Sequence, residues 1–558
     1  MPVTVSAPTA STVQRQRHAR NNQGAALTRS KPSLDELLLR LTGMPGGKLN
    51  AVVSHARWWL PLLIGVVAAV VRFWNLSHPS SLIFDETYYV KDAYSLLNYG
   101  YEREWPKDIN DAFVNGTATP NDNPSYVVHP PLGKWIMALG MAIFGTDSGF
   151  GWRAAAAFAG TLAAVFTTMA ATRLFRSAVW GGLAGLFVAL DGQQIALSRT
   201  GILDIFYFMF ITIVAWFVLV DRDHGRRKLA YALAGGSSAS SAAGSHGTLY
   251  GGMGPRLWSR PWQLGVGISL GALCAVKWSG ITFVAVFGLL IVWWDCQARR
   301  TAGIERWLTG GILHNGIPAF IRVVPVAALT YLATWIPWML EPRAWGHGLA
   351  AREGASWVKI FPGSLADLIT YHGKAYAFHT GLTKDHGWAS NPWTWLVAGR
   401  PTLFKWDTTK RDGVPCETGR NCVQVVTDLP NPILWWAGTI SILIVLWAFL
   451  ARRDWAALMI LAGVVAGYIP WLFYPERTMF FFYTTGFQLS WILAVVYALR
   501  MLAPPAGTAP RQAKIRTAAV AGIVLIILLV SAFFLPIVTG QTLFSEEIQW
   551  RIWLPSWT

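Results

Sequence analysis

Residues 57–89 read RWWLPLLIGVVAAVVRFWNLSHPSSLIFDETYY. Positions 57–76 are almost wholly apolar, and crossing ~30 Å of hydrocarbon at 1.5 Å per residue takes about 20 such residues. After a turn around Pro79, Asp85 and Glu86 stand side by side among Phe84, Tyr88 and Tyr89. The stretch therefore reads as a membrane span that delivers two carboxylates to the membrane surface. Ionisable groups at membrane boundaries are functional by default.

The rest of the chain agrees. Of 558 residues, 53% are hydrophobic and 13% are charged, against about 25% charged in soluble proteins. A disordered chain is excluded, and a soluble enzyme of this size is disfavoured. The formal charge is +17. In a membrane chain this reports topology rather than nucleic acid, because Lys and Arg collect in cytoplasmic loops. Four cysteines are too few for a disulfide scaffold.

Apolar segments of spanning length lie near 57–76, 154–174, 178–197, 202–220, 261–276, 280–295, 320–340, 433–450, 456–473, 480–499 and 517–537. The expected fold is an all-α polytopic membrane protein with about eleven transmembrane helices. The fifth and sixth segments meet at Lys277-Trp278-Ser279-Gly280, and 135–145 is apolar but too short to cross. Basic residues fall on one side if the N-terminus is cytoplasmic: the arm through Lys48, then Arg173 and Arg176, Arg222 to Lys228, Arg299 and Arg300, Arg452 and Arg453, and Arg511 to Arg516. The C-terminus is then extracytoplasmic. The expected organisation is a disordered arm at 1–56, a membrane catalytic domain at 57–540 and an outer tail at 541–558. Long outside loops at 77–134 and 341–432 are where function is expected. The cytoplasmic loop 221–260 holds a Gly/Ser-rich linker.

Asp85 is a candidate base, because partial burial raises a carboxylate's pKa; the alternative is an acidic pair capping a short helix. In His129-Pro130-Pro131-Leu132-Gly133-Lys134 the prolines fix a turn that presents His129 and Lys134. Arg153 opens the second span, and Arg199 and Asp204 lie between the third and fourth. Lys277, and Arg477 in Tyr474-Pro475-Glu476-Arg477, are further cation candidates; Arg suits bidentate phosphate contact. His372, His379 and His386 recur every seven residues. They lack the partners of a zinc site, so contact with a sugar or peptide is the preferred role. Cys416 and Cys422 are spaced for a disulfide on the oxidising face. There is no Walker loop or GxGxxG turn, so energy must arrive with an activated substrate.

Phe84-Asp85-Glu86, His129 to Lys134, Trp152-Arg153, Ser198-Arg199 with Leu203-Asp204, and Tyr474 to Arg477 together resemble the protein O-mannosyltransferases, multispanning glycosyltransferases of the GT-C fold. The resemblance covers about 57–500 and is tightest over 84–206. It implies a polyprenyl-phosphate mannose donor in the cell membrane and a Ser or Thr acceptor on a secreted polypeptide. It leaves the secretion translocon as a candidate partner. Eukaryotic members carry a β-rich insert in the large outside loop; 341–432 is too short for one, so the resemblance is to bacterial, actinobacterial members. The expected chemistry is inverting transfer with Asp85 as base and Glu86 beside it in the catalytic pair. Arg153, Arg199, Lys277, Arg477 and Lys134 are expected at the phosphate, with Glu86 and Asp204 orienting sugar, peptide or the cations; His129, which supports its loop, and His379 are counted with the substrate-binding residues. No cofactor is required, and a divalent metal is left open rather than expected. The alternatives are a GT-C transferase for an arabinose or aminoarabinose donor and a proton-coupled transporter. The second would place charges at the bilayer midplane.

Overall fold

The computed structural model describes residues 31–43, 59–235, 248–361, 363–408 and 421–558. Among them, eight helices are long and apolar enough to cross a membrane: Gly149–Phe175, Asp204–Ala234, Gly280–Ala302, Trp307–Thr334, Pro432–Arg452, Trp455–Phe473, Phe481–Leu502 and Pro510–Thr539. Shorter apolar helices, Trp59–Phe73, Ala178–Leu190 and Trp262–Val276, fall at three more of the expected positions. The short stretch at 135–145 is the helix Leu132–Phe144. Leu62, Leu63, Val66 and Val70 on the first apolar helix are exposed. A helix apolar on every face is stable in lipid, where no polar face is needed.

Several boundaries differ from the sequence reading. The segment 178–197 breaks at Asp191 into Ala178–Leu190 and Gly192–Ser198. The Asp191 side chain accepts from the Gln194 N–H and so starts a new helix instead of continuing the old one. The segment 202–220 continues to Ala234, so Arg222, Arg226 and Arg227 sit on a helix rather than in a loop. The arm expected to lack structure contains the helix Leu34–Thr42, closed by a Ser33–Glu36 capping box. Its buried Leu37, Leu38 and Leu41 pack with Leu229 and Leu233. The rest of the arm and most of the linker lie outside the described residues.

The all-α expectation also omits a small antiparallel sheet in the order β1 (Leu403–Asp407), β2 (Cys422–Thr427), β3 (Thr542–Phe544). Leu403 pairs with Thr427, and Cys422 with Phe544. The sheet ties the second long loop to the C-terminal tail.

Close helix packing rests on small residues. Gly267 and Gly271 let Trp262–Val276 meet Ile317–Thr334; a Cβ at Gly271 would lie 2.4 Å from the Ala327 carbonyl oxygen. This small-residue spacing is the usual route to close approach in lipid. Buried polar groups pair across helices: Gln488 donates to Asp191 at 2.7 Å, and Asn431 donates to Ser531 at 2.8 Å. Arg260 bridges Asp221 and Asp295. An unmet polar group in this setting would cost several kcal/mol, so these pairs fix which helices are neighbours.

Candidate active site

Asp85 is the residue before the helix α1 (Glu86–Tyr99). Phe84 holds a left-handed φ of 47°. Such a backbone persists only when its surroundings enforce it. Here the ring stacks on Phe404 of β1 at 4.9 Å and meets Phe480 and Phe482 edge-on. The Asp85 carboxylate makes no capping hydrogen bond. Among the described residues it makes no ion pair or side-chain hydrogen bond. Burial pushes its pKa up to about 6; Lys277 opposes that rise and Asp204 adds to it. The capping role considered above is therefore not the one Asp85 performs.

Lys277 and Asp204, the two charged groups that act on Asp85, line a cavity of about 1050 Å³. Its polar end is lined by His129, Asp204, Lys277, His379 and Arg477. Lys277 pairs with Asp204 through contacts of 2.8 and 2.7 Å. It sits where the short apolar helix α2 (Trp262–Val276) meets the spanning helix α3 (Gly280–Ala302), in extended backbone. Arg477 donates through Nε to the His379 carbonyl at 2.7 Å. Its Nη1 reaches the Tyr483 hydroxyl at 3.3 Å. Arg477 Nη2 has no partner among the described residues. Among the described residues the His129 ring makes no hydrogen bond; it lies 6.0 Å from Tyr89 and 5.0 Å from His379. Burial first, then Lys277 and the other nearby cations, hold its pKa well below the usual histidine value. The other end is apolar, lined by Ile281, Val284, Val324, Ala327 and Leu332. Ile281 is largely exposed on the outside of the bundle.

Asp85 is not itself a lining residue; it lies within electrostatic reach of Lys277 and Asp204, which do line the cavity. Four other expected site residues do not line it either. Glu86 is fully buried and pairs with Arg153 through two contacts of 2.7 and 2.8 Å. It also accepts from the Ile83 and Gly201 N–H groups. Arg153 is equally buried, and its remaining donors go to the Leu76, Pro79 and Ser81 carbonyls. Arg199 donates to the Arg72, Trp74 and Asn75 carbonyls at the end of the first apolar helix. Lys134 pairs with Glu102 at 2.6 Å. The physical reason is common to all: a helix ending in a crowded loop leaves carbonyls and charges that need partners, and these side chains supply them. They are architecture rather than contacts for a substrate. Asp204, although close to Arg199 in sequence, is paired with Lys277 instead.

Two family models match the chain. "Dolichyl-phosphate-mannose-protein mannosyltransferase" covers residues 62–248, and "C-terminal four TMM region of protein-O-mannosyltransferase" covers 364–557. The polyprenol-phosphate-mannose--protein mannosyltransferase of Mycobacterium tuberculosis is 32% identical over 90% of this chain and 92% of its own. The same-named protein of Corynebacterium glutamicum is 33% identical over 89% and 92%. The chain belongs to the protein O-mannosyltransferase family. Its GT-C fold is shared with the S. cerevisiae Pmt1-Pmt2 complex bound to the sugar donor, at TM-score 0.64 and 15% identity over 95% of each chain. This member of the family is a membrane glycosyltransferase.

The mannosyltransferase holds its cavity together with a helix of the second long loop, α4 (Gly363–Gly381). His379 Nε2 lies 2.9 Å from the Val128 carbonyl, and the Tyr371 hydroxyl donates to the Val127 carbonyl at 2.6 Å. Both contacts fix the chain just before His129. Tyr331, His372 and Trp278 also line the cavity. The sequence spacing singles out His372 but not its grouping with Tyr331 and Trp278, because the three come from separate segments that only folding brings together. His386 lies apart from His372 and His379, with its ring against Phe480. Among the described residues no cluster of metal-ligand residues forms. Cys416, half of the expected disulfide with Cys422, lies outside the described residues.

Proposed function

We propose that this protein transfers mannose from a polyprenyl-phosphate mannose donor to Ser or Thr hydroxyls of secreted polypeptides, at the outer face of the cell membrane. One observation carries the reading. Asp85, a carboxylate without a partner among the described residues, lies within electrostatic reach of Lys277 and Asp204, and these line a cavity that also holds Arg477 and an apolar wall. A lipid-phosphate sugar has the same layout. The names of the actinobacterial relatives support mannose as the sugar.

The Asp85 carboxylate takes the proton of the acceptor hydroxyl, a poor nucleophile without a base. The hydroxyl oxygen forms a bond to the anomeric carbon as the bond from that carbon to the phosphate oxygen breaks. The electron pair leaves on the phosphate, whose growing charge Lys277 and Arg477 stabilise. Products are the mannoside, polyprenyl phosphate and one proton. A single displacement inverts the anomeric carbon, from a β-linked donor to an α-mannoside. Neutral His129 and the Lys277-bound Asp204 orient the sugar. His379 acts on the site by fixing the turn before His129.

The test is a transfer assay with purified protein, a Thr-rich peptide and a panel of lipid-phosphate sugars. Mannose transfer with inversion is expected. Preference for arabinose or aminoarabinose would reassign the donor, and no transfer from any of them would overturn the reading. Orientation is tested by external thiol labelling of single cysteines. Those placed in 341–408 should react and those in 221–235 should not; the reverse pattern would invert the topology.

A further inference from the structure

A row of hydrogen bonds runs along one wall of the cavity. His372 Nδ1 lies 2.6 Å from the Leu368 carbonyl oxygen. A carbonyl only accepts, so Nδ1 carries the proton and Nε2 of the neutral ring is an acceptor. The Tyr331 hydroxyl, 2.5 Å from Nε2, donates to it. The Tyr331 oxygen in turn accepts from the Trp278 indole N–H at 2.9 Å. Every link has one donor and one acceptor, which fixes the direction of the whole row. The Trp278 ring also lies nearly parallel to the His372 ring, 5.0 Å away and inclined by 21°. Trp278 is thus held by its edge and backed on one face. It follows Lys277 directly, and both line the cavity.

The row connects three elements that share no local sequence: the junction of α2 and α3, the helix Ile317–Thr334, and α4 of the second loop. Nothing in the chemistry proposed above uses it. A hexose presents a face of C–H groups, and such faces pack on flat aromatic rings. A ring that is already immobilised loses no rotamer freedom when a sugar docks.

We propose that Trp278 is the platform on which the transferred sugar of the donor packs, and that Tyr331 and His372 are positioning residues that hold it flat. This rests on the glycosyl-transfer reading and deepens it by assigning where the sugar ring lies. Among the described residues none of the row's hydrogen bonds goes to Lys277, Asp204 or Arg477, so the row acts on the sugar rather than directly on the phosphate.

The experiment compares Tyr331→Phe, His372→Asn and His372→Gln in purified, lipid-embedded protein. Initial rates are measured against polyprenyl-phosphate mannose and against peptide. Binding of sugar-free polyprenyl phosphate is measured separately. Tyr331→Phe removes the hydroxyl that both receives from Trp278 and donates to His372. His372→Asn keeps a donor near Leu368 but loses the acceptor for Tyr331, whereas His372→Gln carries an acceptor at that reach. Tyr331→Phe and His372→Asn should each raise KM for the donor about tenfold. KM for peptide and affinity for the sugar-free lipid should stay within about twofold, and His372→Gln should recover most of the loss. The double variant Tyr331→Phe/His372→Asn should be no worse than either single one, since both cut the same row. Unchanged donor KM in the two single variants would overturn the proposal. So would an equal loss of sugar-free lipid binding, which would mean that the row supports the phosphate site or the fold. Failure of the glycosyl-transfer reading itself shows differently, as absence of transfer by the unmodified protein.

Discussion

Asp85 and Glu86 are neighbours in sequence and opposites in structure. Glu86 is fully buried, with both oxygens occupied by Arg153 and by backbone N–H groups. Asp85 is half-buried and has no partner for its side chain among the described residues. The same division separates the two regions around them. Behind α1, Arg153, Arg199 and Arg72 are spent on carbonyls and a carboxylate. In front, among the described residues, Arg477 keeps a nitrogen without a partner and His129 a ring without hydrogen bonds. A fully paired charge holds a fold in one shape; a charge left unpaired near a cavity is available to a ligand.

The most severe test of this contrast is Asp85→Asn. Turnover should fall by between about 10² and 10⁴-fold, the usual share of a general base. Stability should not fall. A carboxylate whose folded pKa lies above its unfolded value destabilises the fold at neutral pH, a cost absent below the unfolded pKa and complete above about 6. Thermal unfolding of the variant should therefore occur at an unchanged or higher temperature. Full activity would remove Asp85 as base.

Glu86→Gln should do the reverse. Leaving Arg153 buried without its counter-charge costs about 3–5 kcal/mol, read as a lower unfolding temperature and less folded protein. Arg153→Met should lose a similar amount. If either variant is stable and only inactive, the separation of architecture from chemistry at this motif is wrong.

Arg477→Ala should be milder, with transfer efficiency (kcat/KM) for the donor lowered about 10- to 100-fold, as for one lost charged hydrogen-bond partner. Lysine at the position should restore part of it, because charge survives while the fork geometry does not. The pH dependence is gentler still near neutrality. Asp85 acts only when deprotonated, so the rate should fall about tenfold per unit below pH about 6 and level off above about 7. The smallest effect is expected from EDTA, which should leave turnover unchanged because cationic side chains already face the leaving phosphate. Complete loss with rescue by one metal ion would overturn that.

Sequence determined the membrane class, because the length and apolarity of 57–76, 433–450 and 517–537 leave no other solvent for them than lipid. It also singled out Asp85, Lys277 and Arg477, since charges beside apolar segments are costly and therefore conspicuous. Tertiary structure alone decided which of several equally conspicuous charges face the cavity. Arg153 and Arg477 look alike in a sequence, yet one is buried against the Leu76 to Ser81 carbonyls and Glu86 while the other, held by the His379 carbonyl, lines the cavity. The same holds for the Trp278, Tyr331 and His372 row and for the sheet that holds Phe84. Periodicity and composition report the solvent around a segment, which is a local property. Hydrogen-bond partners drawn from distant segments depend on how helices pack, and that is not.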